Sequence, residues 1–301
     1  MFRLVYGFFY LISFLPFRVL YVLSDIITFF IRDIIGYRKA VVMENLLKAF
    51  PEKPLAERKQ IAHAFYRNFT DNWMETIKLL SISQAELDKR MQADYSIFHE
   101  LYPLGKCVVI LGGHFFNWEY ANLQLSFRQP YTLLSVYMPI SSSIIDRLFI
   151  KLRSRWGNAM VRATEMRTDM ITWRNKQYAM GLIADQSPGG AGASYWLNFL
   201  HQPSSFVRGP ERTAKMLSAP VIMMHYTRLK RGYYQVRFER IDTEDTAKVP
   251  GAITREFVRY LEKNIRENPD LYLWSHNRWK LKWEPSYAPL WIDEANPAPS
   301  A

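Results

Sequence analysis

Between Cys107 and Ala184 the chain repeatedly exchanges one periodicity for another, and this alternation is the tightest constraint on its fold. Cys107–Leu111, Tyr131–Tyr137 and Tyr178–Ala184 are short β-rich runs, and the stretches around 119–128, 142–156 and 165–176 between them suit helices. Strands and helices in regular succession build a largely parallel sheet, because parallel neighbours need crossover connections that helices supply. Further on, Val221–Leu229 and Tyr233–Ile241 flank Lys-Arg-Gly and predict a hairpin. A helix over Ile253–Asn268 follows, stopped by Pro269. The fold class is therefore α/β, a mixed, largely parallel sheet flanked by helices.

Upstream, Arg38 to about Leu80 reads as helical with a break at Phe50-Pro51, and Ile61, Phe65, Phe69 and Trp73 recur at three-to-four spacing. The first thirty-odd residues are different. Leu4–Phe17 carries no charge, and Val19–Ile31 carries only Asp25. Fourteen helical residues cover about 21 Å, short of the ~30 Å hydrocarbon core, so neither half spans alone. Two arrangements remain: the halves join into one span around Arg18 and Asp25, or they bend at Pro16 and lie in one leaflet. A buried core helix is the competing reading. A cleaved secretory signal is disfavoured by the two charges and the lack of a small-residue cleavage site. Arg32, Arg38 and Lys39 then place the following domain on the cytoplasmic side. The expected organisation is a membrane-anchoring segment 1–35, a catalytic-size domain 36–295 and a disordered tail 296–301.

Charge narrows the partners. Lys and Arg number 39 against 28 Asp and Glu, a net +11 that favours an anionic partner. No zinc-finger, RNP-like or basic-zipper pattern appears, so no nucleic acid is expected. Nine Trp, eighteen Tyr and nineteen Phe instead suit a membrane interface, here an anionic one. The single cysteine, Cys107, excludes a disulfide framework and a multi-cysteine metal cluster, and within an apolar strand it reads as inert core.

The chemistry concentrates in Leu111-Gly-Gly-His114-Phe-Phe-Asn-Trp-Glu119, which follows a strand and opens a helix. Ligands of open α/β sheets bind beyond the carboxyl ends of strands, where this turn lies. Gly112 and Gly113 allow close approach of a substrate to backbone N–H groups, a candidate oxyanion site. Glu119 is expected to reach back to one nitrogen of His114 and fix its tautomer, freeing the other to take a proton from a hydroxyl or amine. Alternatively His114 caps the strand and Glu119 complements the helix dipole. A metal site is disfavoured, since H-x4-E lacks the paired histidines of H-E-x-x-H and no third ligand is near. His63, His99, His201 and His225 have no sequence partners that raise them above ordinary histidines.

With these residues in view the chain resembles the lysophospholipid acyltransferase-like superfamily, marked by H-x4-[D/E], and within it the bacterial late lipid A acyltransferases. Five ordered blocks carry the resemblance: Asn45-Leu-Leu-Lys-Ala-Phe50-Pro51, Gly-Gly-His114-Phe-Phe-Asn-Trp-Glu119, Arg153-Ser-Arg155-Trp-Gly157, Asp185-Gln186 and Leu273-Trp-Ser-His-Asn-Arg-Trp-Lys280. A departure is Asn198-Phe-Leu-His-Gln-Pro203, where the family commonly shows a compact F-F-G-x-P.

The resemblance implies a glycerol-3-phosphate acyltransferase-like fold, no cofactor and no covalent acyl-enzyme. It implies transfer of a fatty acyl chain from a thioester, on acyl carrier protein or acyl-CoA, to a hydroxyl of a membrane glycolipid at the inner membrane. Arg153 or Arg155 would hold the acceptor phosphate, Asp185 would orient one of them, and Asn117 and Gln186 join the candidate substrate-binding residues. His276, Arg278 and Lys280 would meet an anionic headgroup or simply pack the end of the core. The same superfamily also includes enzymes acting on a lysophospholipid, an amino-acid lipid or a glycosylated phosphoinositide. A non-catalytic lipid-binding protein on this scaffold would have no need of the His114–Glu119 pair.

Overall fold

The structure, a computed structural model, describes residues 1–241, 249–295 and 297. The expected disordered tail 296–301 therefore lies outside the described residues apart from Pro297. Two apolar helices, α1 (Phe2–Ser13) and α2 (Phe17–Phe29, prolonged by a π turn over Phe30–Ile34), meet at 113° across the break at Pro16. No single helix among the described residues is long and apolar enough to cross a membrane; only this bent pair meets the length and composition required. The helix α3 (Lys39–Ala49) ends at Phe50-Pro51, as expected, and α4 (Leu55–Lys78) follows.

Polar side chains fasten α2 to α4. Ser24 Oγ donates to Asp71 Oδ1 at 2.7 Å, and Tyr21 OH donates to Glu75 Oε1 at 2.9 Å. Asp25, the charge that interrupts the apolar run, pairs with Arg231 at 2.6 Å, and Arg231 also holds Asp71. A buried polar group is stable only when bonded, and these residues satisfy one another. Leu20, Ser24 and Thr28 form the buried stripe of α2, whereas Leu4, Phe8 and Leu11 of α1 stay more than 60% exposed.

Next come α5 (Gln84–Arg90), β1 (Met91–Ala93), α6 (Ser96–Leu101) and the central strand β2 (Val108–Gly112), every residue of which is buried. Then α7 (Trp118–Arg128), β3 (Thr132–Tyr137), α8 (Ser143–Arg153), β4 (Ala159–Arg162), α9 (Met166–Asp169) and β5 (Tyr178–Ile183) complete the alternation. The expected helix over 165–176 is broken into α9 and flanking 3-10 turns, with Asp169 accepting from both the backbone and guanidinium of Arg162. A short antiparallel pair, β6 (Ser194–Phe199) and β7 (Gln202–Val207), precedes α10 (Gly209–Leu217), the expected hairpin β8 (Val221–Lys230) and β9 (Tyr233–Ile241), and α11 (Ala252–Glu267).

The main sheet has the order β1-β9-β8-β2-β5-β3-β4, parallel throughout except for β8 against β9. One register positions everything that follows: Gly112 of β2 lies opposite Ile183 of β5. The residues two positions beyond each, His114 and Asp185, therefore leave the sheet side by side.

Candidate active site

His114 Nδ1 bonds Asp185 Oδ1 at 2.7 Å, and Asp185 is only 1% exposed. A carboxylate can only accept, so Nδ1 carries the proton and Nε2 keeps its lone pair. Burial alone would raise Asp185; the charge and hydrogen bond of His114 override it and hold the carboxyl below its ordinary value. The amide of Gln186 stands 3.4 Å from Nε2, and the Trp118 ring meets the imidazole edge-on. Behind the carboxylate, Ser187 N–H donates to His276 Nε2 at 3.1 Å, pinning the loop after β5. Burial pushes His276 down to about 4, which keeps it neutral and able to accept that bond. His276 is thus a loop support.

This geometry corrects the expected partner of His114. Glu119 does not reach back: in the first turn of α7 its carboxylate faces α8 and takes Arg153 Nε at 3.0 Å, with a further bond from Trp118 Nε1. Arg153 is correspondingly raised, since Glu119 outweighs the burial that would lower it. Asp185, expected to orient an arginine, orients the histidine instead. Arg155 is occupied elsewhere, donating to the Leu79 carbonyl and lying over Trp156. Asn117 is fully buried, so it is no substrate contact: its Oδ1 caps α7 by accepting from Tyr120 N–H, and its Nδ2 donates to Glu75. Gly112 and Gly113 answer to packing, because an added Cβ would come within 2.6 Å of Met224 Cε and Leu261 Cδ1 respectively. Arg278 is 2% exposed, donating to Ser205 O beneath Phe206, while Lys280 is exposed. Cys107 sits half-buried just before β2 rather than within it, its thiol against the Lys176 carbonyl.

His114, Trp118, Glu119, Arg153 and Gln186 line a cleft of about 1680 Å³. Much of its wall is apolar, built from Leu133, Val136, Met160, Leu182 and Ile183 of β3, β4 and β5. Basic residues of α9 and α10 (Arg167, Arg212 and Lys215) and Arg208 line it as well. The residues missed from sequence are these, and the α10 stretch following an unrecognised hairpin gave no chemical signature to find them by. An imidazole whose Nε2 faces the cleft with only a long contact to the Gln186 amide, a buried carboxylate behind it and an apolar cleft in front can activate a hydroxyl beside a long hydrocarbon chain.

Comparison with known proteins agrees with that chemistry. The family model for the bacterial lipid A biosynthesis acyltransferases matches residues 1–281. The lipid A biosynthesis palmitoleoyltransferase of Escherichia coli (strain K12) is 22% identical over 274 residues, which cover 89% of this chain and 87% of the relative. The lipid A biosynthesis acyltransferase of Shigella flexneri matches with the same identity and coverage. On the family match, which takes in both the apolar helices and the cleft, the chain belongs to the bacterial lipid A biosynthesis acyltransferases and is an acyltransferase.

Proposed function

We propose that the protein transfers a fatty acyl chain from a carrier-bound thioester to a hydroxyl of a lipid A precursor, with the His114–Asp185 pair as general base. The 2.7 Å bond between these two residues at the rim of an apolar cleft carries this reading. The acceptor O–H gives its proton to His114 Nε2 as the oxygen attacks the thioester carbonyl carbon. Asp185 stabilises the imidazolium so formed. When the tetrahedral adduct collapses, the C–S bond breaks and the thiolate leaves with the proton returned by His114. No protein nucleophile is required. The net +11 suits an anionic donor, an acidic carrier protein or the phosphates of acyl-CoA, because encounter is steered by opposite charge.

The same reading seats the enzyme on the cytoplasmic face of the inner membrane, with α1 and the outer face of α2 in the lipid. Its support is the exposure of Leu4, Phe8, Leu11, Ile26 and Phe29 on a bent pair whose other face is bonded to the domain.

Lipid mass spectrometry on a strain lacking the protein tests the reaction: one acyl group should disappear from lipid A and return with the wild-type chain but not with His114→Ala. An unchanged lipid profile would refute it. Membrane seating is tested by Phe8→Ser with Leu11→Ser, which should release protein from anionic vesicles in a flotation assay.

A further inference from the structure

Five cationic side chains line the cleft around His114: Arg153, Arg167, Arg208, Arg212 and Lys215. Two are already neutralised, Arg153 by Glu119 and Lys215 by the buried Glu211 at 2.8 Å. The remaining three have no carboxylate within ion-pair reach among the described residues. Arg208 donates through Nη2 to the Ser194 carbonyl at 3.0 Å and lies over the Tyr195 ring, yet its Nε is buried with no hydrogen-bond partner. Arg212 stands one turn on, its N–H bonded to the Arg208 carbonyl at 3.0 Å, so both side chains rise from one face at the start of α10.

Uncompensated guanidiniums on the wall of a cleft create a field that an anion relieves. Two planar forks side by side offer more donors than one carboxylate accepts, whereas the peripheral oxygens of a phosphate serve both. Resting on the acyl-transfer reading above, we infer that Arg208 and Arg212, assisted by Arg167, form a phosphate-binding station that holds a substrate phosphate while the reacting hydroxyl lies at His114. This moves the phosphate contact expected of Arg153 or Arg155 to α10, since Glu119 occupies Arg153 and the Leu79 carbonyl holds Arg155. The phosphate belongs either to the sugar of the acceptor or to the prosthetic group of the donor.

Titration calorimetry of the full chain with pyrophosphate, together with steady-state kinetics, tests the station. Arg212 makes no side-chain bond within the described protein, so Arg212→Gln should fold normally. We expect it to weaken pyrophosphate binding about 10- to 100-fold, the usual loss for a charge-assisted hydrogen bond. Arg208→Gln should do the same, and Lys59→Gln, which removes an exposed cation of α4 outside the cleft, should not. In kinetics Arg212→Gln should raise one KM with kcat little changed. A rise in the acceptor KM assigns the sugar phosphate, and a rise in the donor KM assigns the prosthetic group. Unaltered pyrophosphate binding in Arg212→Gln, or no binding by the wild type, would overturn the inference. Should the wild type bind pyrophosphate and Arg212→Gln lose it while no acyl transfer occurs, the station stands and the acyl-transfer reading falls.

Discussion

Asp185 and Glu75 are both buried carboxylates, and both sit under hydrogen-bond donors, but they are driven in opposite directions. Asp185 faces an imidazole that can take a positive charge, and it is held below the ordinary carboxylate value against the desolvation that opposes it. Glu75, beneath α2, accepts from Asn117, Tyr21 and Tyr234, all neutral. Burial therefore dominates, the charge of nearby Asp71 adds to it, and Glu75 rises to about 7. Neutral donors do not replace a counter-charge in a low-dielectric interior. One carboxylate is kept ionised beneath the imidazole it orients; the other is a pin that joins the N-terminal helices, the hairpin and the cap of α7.

Removing the base breaks the catalytic side of that contrast most strongly. His114→Ala should lower kcat by roughly 10²–10⁴-fold while the far-UV circular dichroism spectrum stays that of the folded protein, and near-normal turnover in the folded variant would sink the mechanism. Asp185→Asn should fall nearly as far, on the order of 10²-fold, because the amide neither fixes the tautomer nor supports the imidazolium. Glu119→Ala sharpens the comparison differently. It leaves Arg153 without its carboxylate, and because that side chain is 20% exposed on the cleft wall, urea unfolding should show a loss of about 3 kcal/mol, the low end for a buried pair. Adding Arg153→Met should recover much of that, and simple additivity of the two losses would show that the pair is not coupled.

The smallest effect is the pH dependence of stability. A Glu ionises near 4.5 in the unfolded chain but near 7 at Glu75, so between these values the native state binds more protons and stability falls as pH rises. The fall should reach at most about 3 kcal/mol, and Glu75→Gln should flatten it in urea titrations. Asp185 acts in the other direction, and its contribution is lost only as pH drops below the ordinary carboxylate range.

The alternation of periods between 107 and 184 made the parallel sheet legible, and a Gly-Gly-His turn at a strand end pointed to His114, the proposed base. The partner of that base was not legible. Asp185 lies 71 residues away, and only the pairing of β2 with β5 brings it to His114, information that no single stretch of sequence contains. Glu119 misled for the same reason: its proximity in sequence suggested a contact that the direction of the first turn of α7 denies, and α8 supplies Arg153 instead. The β6–β7 pair escaped because its turn places Leu200 and His201 at positive φ, 49° and 66°, where turn rules look for Gly, Asn or Asp. Asn117 stood in a catalytic motif but serves as a helix cap, a role that depends on Glu75 arriving from α4.

The register of Gly112 against Ile183 has a consequence for how such a protein diversifies. A parallel ladder measures distance across strands and is indifferent to how much chain lies between them. Loops joining β3, β4 and their helices are free to lengthen, shorten or change composition without altering the 2.7 Å spacing at the base. The side chains of β3, β4 and α10 that wall the cleft, among them Leu133, Val136, Met160 and Arg212, thus lie on elements other than those that carry His114 and Asp185, and the shape of the cleft can change while the pair keeps its spacing.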